Sequence, residues 1–356
     1  MTDNQTHRGG WPAETPATRS TLMFREASEA GEAVARQELA GTALQRIGEL
    51  LRNRPPRLVI TCARGSSDHA ATFAKYAIET RLGVPVASAA PSVSSVYASS
   101  LRVEGALCIA ISQSGRSPDL LATVASLKNA GASVLALVND VSSPLSDIAD
   151  EVFGLAAGPE RSVAATKSFI CTLAAIARLV AAWSKDERMQ EALAELPGKL
   201  RHAWELDWSP LVDSLPGARD LYVLGRGLGL GIAQEAALKL KETSQIHAEA
   251  FSTAELQHGP MALIEPGFPA IIFSQSDKTS ELVRQTASSL VERGARVFLA
   301  GGQAPHSTYL PSTRISPLLD PILQVQSFYR AANALAIARG LDPDQPPHLR
   351  KVTETV

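Results

Sequence analysis

Two tandem α/β domains, each a parallel sheet flanked by helices on both faces, are what the chain predicts, and three observations predict them. Short apolar runs alternate with helical stretches along the length of the sequence, the pattern of a parallel sheet buried on both faces. One unit recurs: "LVITCARGSSDHAATFAKYAIE" (58–79) aligns with "LYVLGRGLGLGIAQEAALKLKE" (221–242), and "ALCIAISQSGRSPDLLATVASLKNAGASVLALV" with "FPAIIFSQSDKTSELVRQTASSLVERGARVFLA". The offset barely moves, since Ser112 to Ser274 is 162 positions and Gly131 to Gly294 is 163. A register held over that length marks a duplicated strand, loop and helix.

The elements follow in order. Residues 1–20, polar and punctuated by Gly and Pro, read as a flexible lead-in. The first domain is expected over 21–200 and opens with a helix containing "REASEAGEAVARQEL". The join is expected between 190 and 215, the second domain over 201–345, and a C-terminal tail over 346–356.

Composition narrows the class. A 45% hydrophobic chain of 356 residues can bury a sizeable core, and a net charge of −2 gives no electrostatic case for nucleic acid or an anionic membrane. Cys62, Cys108 and Cys171 are far apart and form no CxxC pair, so they read as reduced, buried residues. The longest apolar run, "CTLAAIARLVAAW", is short for a bilayer span and carries Arg178. The expectation is a soluble, cytoplasmic protein.

The turns carry the first chemical signal. "ISQSGRSPD" follows an apolar strand, where ligands of parallel sheets bind. Ser112, Ser114 and Ser117 offer hydroxyls, Gln113 an amide, Gly115 a close backbone approach, and Pro118 suits the first turn of a helix. A helix N-terminus adds unpaired N–H groups, so the loop suits a phosphate. The plain alternative is a helix cap, but one cap needs one Ser or Thr and here there are three. In the second copy Asp277 replaces the glycine; a carboxylate repels phosphate, so only the turn is expected to persist there. "GRGLGLG" fails the GxGxxG spacing and no GxxxxGK[ST] occurs, which disfavours the common nucleotide folds.

The second signal is "QEAALKLKETSQIHAEAFSTAELQHGP". At about 100° per residue Glu235, Lys239 and Glu242 share one stripe of a helix, away from the apolar face of Ile232, Ala236, Ala237 and Leu240. By spacing alone this can be a solvated surface bridge. His258-Gly-Pro at a turn is a suitable place for an imidazole acting near neutral pH. No His pair has metal-ligand spacing, so neither metal nor cofactor is expected.

"ISQSGRS", "ERSVAATKSF", "EAALKLKETSQIHAEAFSTAELQHGPMALI" and the tail "DQPPHLRKVTETV" together resemble the sugar isomerase (SIS) double-domain family, in particular the isomerase half of glucosamine-6-phosphate synthase. The resemblance runs from about residue 20 to the C-terminus. It implies that Ser67, Ser112, Gln113, Ser114 and Ser117 hold a sugar phosphate. It implies further that Glu242 moves a proton between C1 and C2, that His258 opens the sugar ring from a neighbouring subunit, and that Lys351 engages the open-chain carbonyl. Lys239 and Glu235 would orient and tune Glu242, while Glu160 and the backbone around Val163 and Ala164 would line the sugar.

The synthase's glutaminase domain has no counterpart in this sequence, and "ERSVAATKS" stands where the synthase has "EIGVASTKA". The chain is therefore more similar to stand-alone SIS-type glucosamine-6-phosphate deaminases. The resemblance implies a homodimer with shared sites. Competing readings are a fructose-6-phosphate aminotransferase, a deaminase of galactosamine or fructosamine 6-phosphate, and a non-enzymatic sugar-phosphate sensor.

Overall fold

The structure, a computed structural model, describes residue 11 and residues 15–351. Among the described residues mostly apolar runs form ten strands: β1 (Val59–Cys62), β2 (Val86–Ser88), β3 (Leu107–Ser112), β4 (Ser133–Val138), β5 (Glu151–Gly154), β6 (Asp220–Gly225), β7 (His247–Ser252), β8 (Pro269–Phe273), β9 (Arg296–Ala300) and β10 (Thr308–Leu310). They make two five-stranded sheets ordered β2-β1-β3-β4-β5 and β10-β9-β8-β6-β7, which is the same order in each half of the chain. Every pairing is parallel; Val59 faces Leu107 and Cys62 faces Ala110, as Tyr222 faces Ala270 and Leu224 faces Ile272.

Alternation along each strand distributes the apolar residues between two faces. Leu107, Ile109 and Ile111 of β3 enter a central core, while Cys108 and Ala110 enter an outer one. Ile271 and Phe273 of β8 enter the same central core, with Ala270 and Ile272 on a separate outer face. The central core thus belongs to both halves. Between the sheets lie the Ser66–Leu82, Lys167–Ser184, Leu228–Ser244 and Asp320–Ala338 helices, which pack on one another.

Four expectations are corrected. Residues 1–10 and 12–14 lie outside the described residues, but the remainder of the supposed flexible lead-in is anchored. Trp11 is buried with the Arg330 guanidinium 4.7 Å from its ring, and Thr15 caps a Pro16–Ser20 helix whose Thr18 is buried. The single leading helix is three pieces, Leu22–Ser28, Ala30–Arg36 and a 3₁₀ turn Gln37–Ala40, which lets Ala30–Arg36 bend onto the Glu187–Glu205 helix. There Gly31 approaches so closely that an added Cβ would lie 2.9 Å from the Pro197 carbonyl oxygen.

The boundary at residue 200 falls inside the helix Glu187–Glu205, so the join is helical there. The segment after that helix is pinned by Trp208, fully buried with its indole N–H donating to the Pro311 carbonyl at 2.9 Å. The apolar run around Arg178 extends to an 18-residue helix, Lys167–Ser184, with mean hydropathy 1.3. By length and composition it could cross a bilayer, but 89% of it is buried inside the protein, where it serves as a core helix.

Candidate functional site

The strand order 2-1-3-4-5 has its switch point between β1 and β3, where the flanking connections leave in opposite directions and open a crevice at the carboxyl ends. In the first half that crevice is a cleft of about 190 Å³, lined by Arg64 to Ser67 after β1, by Ser112, Gln113, Ser114 and Ser117 after β3, and by Val163, Ala165 and Lys351. The phosphate residues expected from the sequence, Ser67 included, therefore share one cleft. The helices Ser66–Leu82 and Pro118–Asn129 both begin at it and bring their N-terminal N–H groups with them.

The hydroxyls divide by role. Ser112 Oγ accepts from the Gly115 N–H at 2.9 Å and shapes the loop, and Ser114 Oγ accepts more weakly from Arg116 N at 3.4 Å. Ser117 occupies the N-cap position yet makes no side-chain cap bond, so its hydroxyl is not engaged by the helix. Gly115 is required twice over: its φ is +65°, and a Cβ there would lie 2.1 Å from Ser143 Oγ. Arg64 adds a cation that the loop chemistry did not call for, half-exposed and paired at 2.7 Å with buried Asp119.

The remaining wall is a loop held by carboxylates. Glu26 accepts from the N–H groups of Arg161 (2.6 Å) and Ser162 (3.1 Å), and Glu160 accepts from Thr166 N, Ser168 N and Ser168 Oγ. Lys351 reaches Glu160 Oε2 at 3.1 Å. Burial works against the Glu160 anion, but the Lys351 ammonium and the donors from Ser168 and Thr166 outweigh it and hold the carboxyl below its ordinary range. Asp344 steers the tail, taking the N–H groups of Leu22 (2.6 Å) and Met23 (2.7 Å). Val163 and Ala165 line the cleft, and the side chain of Ala164 between them is buried in the central core.

The stripe on the Leu228–Ser244 helix is no surface bridge. Lys239 and Glu235 are buried, with side chains 1% and 0% exposed, and Glu242 keeps 17%. Lys239 Nζ donates to Glu242 and lies 3.4 Å from Glu235. Burial opposes the ammonium, yet the two carboxylates prevail and raise its pKa. Glu235 receives more: Ser66 Oγ at 3.1 Å, His69 Nδ1 at 3.1 Å and Tyr329 Oη at 3.0 Å. Ser66 belongs to the cleft, so serine loop and carboxylate cluster are contiguous. Burial, then Glu235, raises the Tyr329 pKa well above 10, with Glu160 and Glu242 adding to the effect; one phenol feels all three carboxylates.

His258 is not brought to this cluster. It is exposed at the end of a 3₁₀ turn, Glu255–His258, and makes no hydrogen bond or ion pair among the described residues. In the second half the counterpart loop is closed on itself. Asp277 accepts from Thr279 N (2.7 Å) and Thr279 Oγ1 (2.5 Å) and receives Gln275 Nε2 at 3.1 Å, so a carboxylate of the chain occupies the loop's donors. Sequence reasoning missed Arg64, Ser66, His69 and Tyr329. Ser66 and His69 stand at helical spacing beside Ser67 and were findable; Tyr329 lies in a mixed helical stretch, QVQSFYRAAN, with no motif to single it out. Cys62, Cys108 and Cys171 are unpaired and buried, and burial pushes the Cys108 thiol up to about 12.

Comparison with known proteins agrees with this architecture. The SIS domain family matches residues 52–182 and 214–301. A glutamine–fructose-6-phosphate aminotransferase (isomerizing) of Sulfurisphaera tokodaii is 33% identical over 301 residues, covering 82% of this chain and 49% of that protein. The chain thus spans about half the length of the curated relatives it matches. A structure from Silicibacter pomeroyi DSS-3, provisionally assigned as a phosphosugar isomerase, superposes with a TM-score of 0.87 at 42% identity, over 91% of this chain and 100% of the other. The C-terminal domain of glucosamine-fructose-6-phosphate aminotransferase from Francisella tularensis gives a TM-score of 0.85 at 28% identity, over 94% and 100%. Doubled sheet order, serine-rich loop and family match converge: the chain belongs to the SIS domain family.

Proposed function

We propose that the chain is an amino-sugar phosphate isomerase and deaminase, converting glucosamine 6-phosphate and water to fructose 6-phosphate and ammonia. The observation that carries the reading is Ser66, which lines the phosphate cleft and also donates to Glu235 of the buried Glu235–Lys239–Glu242 cluster. A buried charged triad is costly unless the charges are used, which favours an enzyme over a passive sensor.

Neutral hydroxyls, amides and two helix N-termini hold the ester, and Arg64 and Lys351 border it. Glu242, partly shielded, takes the proton from C2 of the open-chain aldose and returns it to C1. The product is an imine at C2, and water adds there as ammonia departs. This sequence is redox-neutral and draws on no cofactor. Lys351 is engaged by Glu160 at 3.1 Å. It then acts as a charge beside the substrate oxygens rather than as a nucleophile, so water rather than an amine resolves the imine. His258 opens the ring from a second copy of the chain, making a homodimer the working unit. The three buried, unpaired cysteines support a cytoplasmic setting.

The second reading, a fructose-6-phosphate aminotransferase, is favoured by the names of the relatives above. A panel of glucosamine, galactosamine and fructosamine 6-phosphates, assayed for ammonia, and fructose 6-phosphate with ammonium or glutamine, assayed for amino sugar, separates them. Glu242→Gln should abolish turnover while sugar-phosphate binding persists. Retained turnover would overturn the reading.

A further inference from the structure

We infer that Tyr329 and His69 are positioning residues for the proton transfer: by holding Glu235 as the far carboxylate of Lys239, they set the charge that Glu242 feels. The inference rests on the function proposed above and adds residues from two other elements to it.

Glu235 is fully buried and lies one turn before Lys239 and two before Glu242. Its partners come from three directions. From the helix Ser66–Leu82 come Ser66 and His69, with Asp68 beside His69. From its own helix come Lys239 and, beyond it, Glu242. From the helix Asp320–Ala338 comes Tyr329, whose fully buried phenol donates to Oε1 and also feels the charge of Glu160, the partner of Lys351.

Electrostatics then fixes the sign. With Glu235 ionised, Lys239 is shared between two carboxylates and the trio carries a charge of −1. Withdrawing a donor from Glu235 destabilises its anion and favours its protonated form. Lys239 then serves Glu242 alone, the trio becomes neutral, and Glu242 loses a neighbouring negative charge. It becomes a weaker base. A ring that merely filled space would have none of these effects, because phenylalanine fills the same volume.

The experiment compares wild type with Tyr329→Phe, His69→Gln, Glu235→Gln and the Tyr329→Phe/Glu235→Gln pair. Two quantities are read on glucosamine 6-phosphate and fructose 6-phosphate: kcat and KM against pH, and uptake of solvent deuterium at C1 or C2. Tyr329→Phe should lower kcat about tenfold with KM within about twofold, and move the acidic limb of kcat to lower pH by about half a unit or more. In the Glu235→Gln background the same change should cost less than about twofold, since the two act as one unit. His69→Gln, at a partly exposed site, should show the same direction of shift and covers the case in which Tyr329→Phe fails to fold. An unchanged kcat and pH profile, or losses that simply multiply, would overturn the positioning role. The parent reading is judged separately: exchange in wild type that vanishes in Glu242→Gln upholds it, and no exchange in wild type sinks both.

Discussion

Lys351 meets Glu160 across 191 positions of sequence, ammonium to carboxylate at 3.1 Å, and so the end of the chain closes the side of the cleft opposite the serine loop. Asp344 makes this possible by fastening the approaching strand of tail to the N–H groups of Leu22 and Met23. The pair is lopsided: Lys351 is 24% exposed and Glu160 is 0%.

Lys351→Met should therefore leave a buried anion that still holds its Ser168 and Thr166 donors. The expected cost is about 2 kcal/mol of stability, below that of a wholly unpaired buried charge. KM for the sugar phosphate should rise about tenfold, because a cation leaves the cleft wall. Thermal unfolding and initial rates check the two separately.

Acid should unfold the protein through the same carboxylate. The folded pKa of Glu160 lies below its ordinary 4.5, so its contribution is present above that value and is lost as pH falls through the lower folded one. Lys239, raised above 10.5, contributes fully below that value and loses its contribution only as pH rises through the folded one. Denaturation midpoints should stay level in between, as far as these two groups set them, and drop below about pH 4.5. Glu160→Gln should flatten the acid drop; an unchanged acid limb in that variant would assign the drop elsewhere.

Ser117 separates a cap from a ligand group. A capping serine replaced by alanine loses about 1 kcal/mol. Since the Ser117 side chain makes no cap bond, Ser117→Ala should change stability by less than about 0.5 kcal/mol and yet weaken phosphate-ester binding roughly tenfold. Calorimetric titration with the sugar phosphate, beside a melting curve, tests it. A loss of stability without loss of affinity would return Ser117 to the helix.

Mixed subunits test His258. It is exposed and makes no hydrogen bond or ion pair among the described residues, and on the function proposed above a second copy supplies it to the cluster. Chains of Glu242→Gln and His258→Ala, each inactive alone, should regain about a quarter of wild-type activity when mixed in equal amounts, on the dimer arithmetic of two shared sites. No recovery after verified subunit exchange would count against shared sites.

Much of this was legible because the duplicated unit is written in apolar periodicity. β3 and β8 alternate as sheet residues must, and "SQSG" announces a turn by composition alone. The stripe of Glu235, Lys239 and Glu242 was also visible, but its burial was not: four-residue spacing is the same on a wet face and a dry one. What decides is the packing of the Ser66–Leu82 and Asp320–Ala338 helices over it, a contact between distant segments. Tyr329 was invisible for the same reason. The boundary at 200 failed because sequence shows where a repeat ends, not that both repeats share one core.

Asp277 has a bearing on stoichiometry. A free anion entering the second loop would compete with a carboxylate tethered a few bonds away, whose local concentration is millimolar or more. Titration should accordingly saturate at one equivalent of ester per chain. On the function proposed above, the later repeat would hold its loop in shape through its own carboxylate and supply acid groups to the earlier one.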